Sequence, residues 1–280
     1  MSGSVNVKLA SHRGTALFAL LTVAVLVSPQ YAQGQNLVER VQAAGVLRVG
    51  MTLASPPWSM LDEQNRPAGY DVDVANELAS CLGVSNVEFI PGGFDTFIAG
   101  VQSQRFDMVI SGQTITEARL EQVDFSAPYQ VNGVAIFVAA SNEAIQSEAD
   151  LAGMRIGVSE GSTQETYARE NIPGADVKTY ANATLALRDV AIGRADAAIF
   201  SRWIGGYLAD QNDLAVVPLP GLLNSEVNGM SFAKGETAFG EAVNGCLGEM
   251  VSSGTLSEIS RKWLGGLDMQ EELAKLDTDD

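Results

Sequence analysis

Histidine is almost absent: the chain has one, His12, and it stands in front of an apolar N-terminal run. Beyond that run no imidazole is left to act as a general base or to ligate a metal. G-x-S-x-G, the phosphate-binding P-loop and H-E-x-x-H are also missing, which removes three common enzyme signatures. Basic residues are scarce, with 17 Lys and Arg against 34 Asp and Glu. So acidic a surface repels nucleic acid and anionic lipid headgroups. Cysteine is limited to Cys81 and Cys246. The longest apolar stretch, residues 15–27 (TALFALLTVAVLV), is short against the roughly 20 residues of a membrane span.

That stretch reads as the core of an export signal. Lys8 and Arg13 precede it, and residues 28–32 (SPQYA) close it, so residues 1–32 are expected to be a cleaved signal peptide. An uncleaved anchor is the alternative. No cysteine lies nearby to carry a lipid. Cleavage would remove two basic residues and no acid, leaving 15 basic against 34 acidic residues. Export places the two cysteines in an oxidising compartment, here the periplasm, where an even count suggests a disulfide. Two separate buried thiols are the alternative.

The whole chain has 46% hydrophobic and 18% charged residues, which suits one large or two medium globular domains. Strand and helix signals alternate along it, which implies an α/β architecture. Residues 46–51 (VLRVGM) alternate like a strand, and residues 71–82 have helical spacing. A strand at 87–90, a helix at 94–104, a strand at 106–110 and an extended segment at 133–138 follow. A second series runs from a strand at 154–158 through helices at 162–171, 183–192 and 201–211, separated by strands at 177–180 and 195–200. Segments 214–217 and 227–232 read as extended, and 236–253 and 256–263 as helices. Residues 268–280 read as a polar, acidic tail, largely solvated.

The densest chemistry lies in residues 111–119 (SGQTITEAR), followed by 123–129 (VDFSAPY). Hydroxyls and one arginine follow an apolar strand there. Arginine supplies charge and a planar fork of donors, and hydroxyls and amides supply the remaining hydrogen bonds. That is a good holder for a small carboxylate. With GVLRVG at 45–50, PPW at 56–58, GYDVD at 69–73, GSTQ at 161–164, GRAD at 193–196 and GTL at 254–256, the pattern resembles the bacterial extracytoplasmic solute-binding proteins of family 3. These deliver polar amino acids to ABC importers. The resemblance covers roughly residues 45–265.

It implies a two-lobed, type II periplasmic-binding-protein-like fold with the ligand in a cleft between lobes. One lobe would be residues 37–132 plus 231–267 and the other 133–230, joined by two hinge crossings near 133–138 and 227–232. Cys81 and Cys246 then fall on helices of the same lobe, which favours the bridge. The implied partners are a small-molecule ligand (an amino acid or small carboxylate) and the importer's membrane subunits. No cofactor and no metal are implied, no nucleic acid is expected, and the protein would act as a monomer.

By the same resemblance Arg119 aligns with the arginine that grips the ligand's α-carboxylate. Ser111, Gly112 and Thr114 align with positions offering a hydroxyl, a backbone carbonyl and a second hydroxyl. Thr163 aligns with a residue reaching the carboxylate from the other lobe. Ser162 opens a helix beside it, as an anion-binding position or as a plain N-cap. Trp58 and Phe94 align with aromatic walls, or are ordinary core. Ser55 stands where many members carry a stacking tyrosine. The chief departure is Ser201, in residues 199–203 (IFSRW), where the family usually has an aspartate for the ligand's α-ammonium. Either another acid such as Glu160 serves, or the ligand lacks a free α-ammonium, as in a 2-oxo acid or an N-substituted amino acid. Asp196 is expected to lie away from the cleft. A binding protein is expected rather than an enzyme. The alternative is a dehydratase-like enzyme on the same scaffold, using Glu160, Glu165 or a similar carboxylate.

Overall fold

The computed structural model describes residues 36–276, together with Met1 and Gly3. The expected signal peptide at 1–32, those two residues apart, and the last four residues of the chain lie outside the described residues. The first helix, α1 (Leu37–Ala44), begins at Asn36, whose side chain accepts from the Glu39 amide, and stops at Gly45 with φ 66°. Then come β1 (Val46–Met51), a small hairpin of β2 (Met60–Leu61) and β3 (Pro67–Ala68), α2 (Tyr70–Cys81), β4 (Asn86–Pro91), α3 (Phe94–Gln102), β5 (Met108–Thr114), the single turn α4 (Glu117–Leu120), β6 (Val123–Phe125) and β7 (Gln130–Ala139). A 3-10 turn at Glu148–Leu151 leads into β8 (Arg155–Ser159), α5 (Thr163–Asn171), β9 (Asp176–Tyr180), α6 (Ala183–Ala191), β10 (Ala197–Ser201), α7 (Arg202–Gln211) and β11 (Val216–Pro218). The chain returns along β12 (Asn224–Ala233) and ends in α8 (Thr237–Ser253), α9 (Thr255–Trp263) and α10 (Met269–Leu276).

The strands run in the order β4-β1-β5-β12-β7-β10-β8-β9. Two parallel units, β4-β1-β5 and β10-β8-β9, flank a central antiparallel pair. Each central strand serves both units. In β12, residues 224–228 pair with β7, while Ser231 and Phe232 pair with β5. In β7, Val134 and Val138 pair with β10. These two long strands carry the chain from one unit to the other and back. Parallel strands covered on both faces need apolar side chains throughout, and Leu47, Val49, Met108, Val109 and Ile110 are all buried.

The cores divide in the same way. One cluster joins β1, α2, α8 and α9 through Leu47, Val49, Leu78, Phe239, Val243 and Leu256, and another packs Phe97, Val101 and Phe106 on the opposite face. The second unit has its own two clusters, around Ile156 with Val158 and around Phe137 with Leu187. Cys81 and Cys246 form a disulfide between α2 and α8, across 165 residues of sequence, which decides between the two alternatives left by the cysteine count. Among the described residues no helix is long and apolar enough to cross a membrane.

Two expectations need correction. The strand expected at 106–110 starts at Met108 and continues through Ser111 to Thr114. Asn228 and Gly229 of β12 pair with Thr114 and Gln113, so a segment over a hundred residues away extends it. The acidic tail expected to be solvated from Asp268 instead folds back as α10. Met269 is fully buried in the first core, and Asp268 ion-pairs with Arg261 at 2.6 Å and accepts from Ser257 Oγ at 2.8 Å.

Candidate functional site

A cavity of about 480 Å³ lies where the two units meet over the central strands. Ser111, Gly112 and Thr114 of β5, Arg119 of α4, Trp58 and Phe94 line one side. Ser162, Thr163 and Ser201 line the other. All nine residues singled out from the sequence therefore face one cavity. The floor is made by the central strands, with Gln130 and Asn132 from β7 and Glu226 and Asn228 from β12.

Arg119 is held by short-range structure. Thr116 caps α4 and accepts from the Arg119 amide, which sets the side chain just past the end of β5. Arg119 is 8% exposed. Nη1 donates to the Thr114 carbonyl at 2.8 Å and Nη2 to the Gly161 carbonyl at 3.2 Å. Burial holds its pKa below the usual arginine value, and the charge of Glu226 acts the other way. Among the described residues no acid ion-pairs with Arg119. A cation stripped of water with only neutral carbonyls in contact invites an anion.

The hydroxyls around it are tied to both units. Ser111 Oγ accepts from the Thr52 amide at 3.1 Å. Thr114 Oγ1 lies 3.5 Å from Thr163 Oγ1 across the cavity. The Gly112 amide donates to Tyr129 Oη at 3.0 Å, and that hydroxyl donates to Asp71 Oδ1 at 2.9 Å. Asp71 is fully buried, and desolvation pushes its carboxyl up to about 7 against the opposing pull of the Tyr129 bond. Gly112 adopts φ 59°, and a Cβ there would meet Gln130 Oε1 at 3.0 Å.

On the opposite side, Ser162 caps α5, accepting from the Glu165 amide at 3.2 Å and donating to the Ser159 carbonyl at 2.7 Å. Its hydroxyl is thus engaged as a cap while it lines the wall. The start of a helix also favours negative charge at this end of the cavity. Ser201 ends β10, caps α7 through the Ile204 amide at 3.4 Å, and is 4% exposed. Its neighbour Arg202 points away, donating to the Gly221 carbonyl at 3.0 Å. Asp196 pairs with Arg155 at 2.6 Å, outside the cavity. Trp58 packs edge-on against Tyr70 at 5.4 Å and Phe94 against Phe97 at 5.6 Å, so a core residue, Trp58, and a half-buried one at the core's edge, Phe94, form walls. Glu160 lines the cavity as an exposed side chain.

Glu226 is the residue that sequence reasoning missed. It is 8% exposed. Its carboxylate accepts from Thr163 Oγ1 at 2.5 Å, Gln164 Nε2 at 2.8 Å and Thr114 Oγ1 at 3.2 Å. A signal existed: Asn224, Glu226 and Asn228 alternate as polar residues, which is one face of a strand. Starting that strand at Val227 left Glu226 in a loop.

The two sides touch above the cavity. Besides the Arg119 bond to Gly161, Tyr207 Oη reaches Met60 Sδ at 3.9 Å. Gly161 has φ 71°, and a Cβ on it would lie 2.6 Å from the Asp95 amide nitrogen. Only glycine allows this approach. Among the described residues no group of three or more His, Cys, Asp or Glu could hold a metal ion.

Residues 47–266 match the family described as bacterial extracellular solute-binding proteins, family 3. The chain is 31% identical over 261 residues to the L-cystine-binding protein TcyJ of Escherichia coli, covering 92% of this chain and 98% of that protein. Among solved structures it is similar to a mutant of ArgBP from T. maritima, with TM-score 0.77 and 30% identity over 82% of this chain and 99% of the other. It is also similar to AncCDT-1, an ancestral amino acid-binding protein and a precursor of cyclohexadienyl dehydratase, with TM-score 0.75 and 35% identity over 82% and 99% of the two chains.

Proposed function

Because the chain belongs to family 3 of the bacterial extracellular solute-binding proteins, we infer that it binds an amino acid or a related small carboxylate between two lobes, as the solute-binding component of an ABC importer. The observation that carries this reading is Arg119, buried beside the cavity with no acid in contact among the described residues. The ligand carboxylate takes the free donors of its guanidinium, beside Thr114 and Thr163, whose hydroxyls donate to Glu226. Trp58 and Phe94 wall the cleft, Ser111 and Gly112 line it beside Thr114, and Ser162 and Ser201 hold the helices that bound it. TcyJ is a cystine-binding protein by name, and amino acids with polar side chains are the ligand class assigned to this chain.

We take residues 37–132 with 231–267 as one lobe and 133–230 as the other. The separate cores on each side support this division. Ligand entry requires the contacts between Arg119 and Gly161 and between Tyr207 and Met60 to open, which β7 and β12 permit as hinges. Residues 1–32 direct export to the periplasm, where a monomer presents its closed lobes to the importer's membrane subunits. The oxidised pair Cys81–Cys246 suits that compartment.

The likeness to AncCDT-1, together with a buried acid in the cleft, supports a second reading, a dehydratase acting on a cyclic carboxylate. The first is preferred because Glu226 is fixed by three donors and no histidine follows the leader. Incubating the protein with each compound it binds and analysing the solution by mass spectrometry separates them. A transport receptor returns its ligand unchanged, and turnover would overturn the assignment.

A further inference from the structure

The floor of the cavity holds four polar side chains that water barely reaches: Gln130 at 1%, Asn132 at 8%, Glu226 at 8% and Asn228 at 1% exposure. Asn228 Nδ2 donates to Gln130 Oε1 at 2.9 Å. The amide oxygens of Asn132 and Asn228 are buried and have no partner among the described residues. A carboxylate offers about four acceptor sites, and Glu226 uses three, toward Thr114, Thr163 and Gln164. What the floor has in reserve is therefore hydrogen-bond acceptors and one negative charge. Buried groups of this kind are costly unless something pairs them.

Arg119 lines the same cavity and bonds the Thr114 carbonyl, while the Thr114 hydroxyl donates to Glu226. The two charges share the cavity but do not ion-pair, so neither cancels the other by contact. A ligand that lays a carboxylate on Arg119 and an N–H cation on the floor satisfies both. Ser201, across the cleft, can accept a hydrogen bond but brings no charge.

We propose that Glu226, together with the amide oxygens of Asn132 and Asn228, seats the ligand's α-ammonium group in place of an acid at Ser201, and that the ligand is a primary amino acid rather than a 2-oxo acid. The proposal rests on the reading of the cleft as a carboxylate site held by Arg119, and it names the group that completes that site.

The test uses calorimetry on the full exported protein. The twenty standard L-amino acids and L-cystine are screened, and the tightest binder is compared with its des-amino analogue, which keeps the carboxylate and loses the ammonium. The wild type is expected to prefer the amino acid by at least about 100-fold. Glu226→Gln keeps the shape and removes the charge. It should weaken the amino acid by about 100-fold while the des-amino analogue binds as well or better, because a repelling charge has gone. Adding Ser201→Asp to Glu226→Gln should recover at least about tenfold for the amino acid.

A purely structural role for Glu226 would lower both ligands together, and that result overturns the proposal. Equal wild-type affinity for the two ligands overturns it as well, even if Glu226→Gln proves too unstable to assay. A protein that binds only des-amino carboxylates, and loses them on Arg119→Ala, refutes the ammonium seat and leaves the carboxylate site standing. If Arg119→Ala changes no affinity, the underlying reading fails.

Discussion

Replacing Arg119 by alanine should abolish ligand binding with little change in the unliganded fold. Arg119 is 8% exposed, and its guanidinium donates to two neutral carbonyls, at 2.8 Å and 3.2 Å. Most of its hydration is already lost to burial, so its pairing with an incoming carboxylate is strong. Truncating one partner of a buried, hydrogen-bonded charge pair costs about 3–5 kcal/mol, which is roughly a 150- to 5,000-fold loss of affinity. The unliganded protein loses two hydrogen bonds of about 1 kcal/mol each, partly offset because a desolvated cation disappears. At about 2–4 °C per kcal/mol for a chain of this size, its Tm should fall by no more than about 8 °C. Calorimetry with the tightest-binding L-amino acid reads the first quantity, and a thermal melt without ligand reads the second. Affinity retained within tenfold, in a variant that melts cooperatively, would refute the assignment of Arg119.

Asp71 predicts a pH dependence of stability. Its carboxyl titrates near 7 in the folded protein against 3.8 for the ordinary side chain, so the folded state holds a proton that the unfolded chain has released. Its contribution is fully present below about pH 4 and is lost as pH rises to about 7, amounting to about 4 kcal/mol. Asp71→Asn should remove this slope, seen by urea unfolding at pH 5 and pH 8; an unchanged slope would contradict the assignment. Converting both Cys81 and Cys246 to serine opens a constraint across 165 residues and should cost about 3–5 kcal/mol, lowering the Tm by roughly 10 °C. Ligand affinity measured below the new Tm should stay within about threefold, since α2 and α8 meet at the disulfide away from the cavity. Gly161→Ala should weaken binding at least tenfold by blocking closure at Asp95, where a Cβ would lie 2.6 Å from the amide nitrogen. Its unliganded melt should fall by about 2–4 °C, because alanine is strained at φ 71°, and unchanged affinity would show that closure does not need this contact.

The alternation of strands and helices was readable because each segment carries its own periodicity and stop signals. α2, for example, has Val74 and Leu78 on one buried face. The α/β order and the place of Arg119 were legible for that reason, aided by motifs in the order a known family uses. What local signals could not supply were the limits set by distant pairing. β5 gained residues 111–114 because Asn228 and Gly229 of β12 lie beside them. β12 itself began earlier than its apolar core suggested, because β7 pairs with residues 224–228. That difference hid Glu226, on which Thr114 of β5 and Thr163 and Gln164 of α5 converge. α10 was likewise invisible in an acidic segment, since Met269, with Leu273 beside it, enters a core built by β1, α2, α8 and α9.

The central claim is that this cleft closes on an amino acid held by its carboxylate and its ammonium. A thermal-shift screen of the protein, refolded to strip carried-over ligand, tests it most directly. The panel pairs each L-amino acid, and L-cystine, with the analogue lacking the α-ammonium. A ligand at 100 times its Kd adds about 2.7 kcal/mol, a shift of roughly 5–10 °C. The account predicts such a shift from at least one free amino acid and little or none from its des-amino partner. Shifts produced only by compounds without an α-ammonium, or by none of the panel, would contradict it.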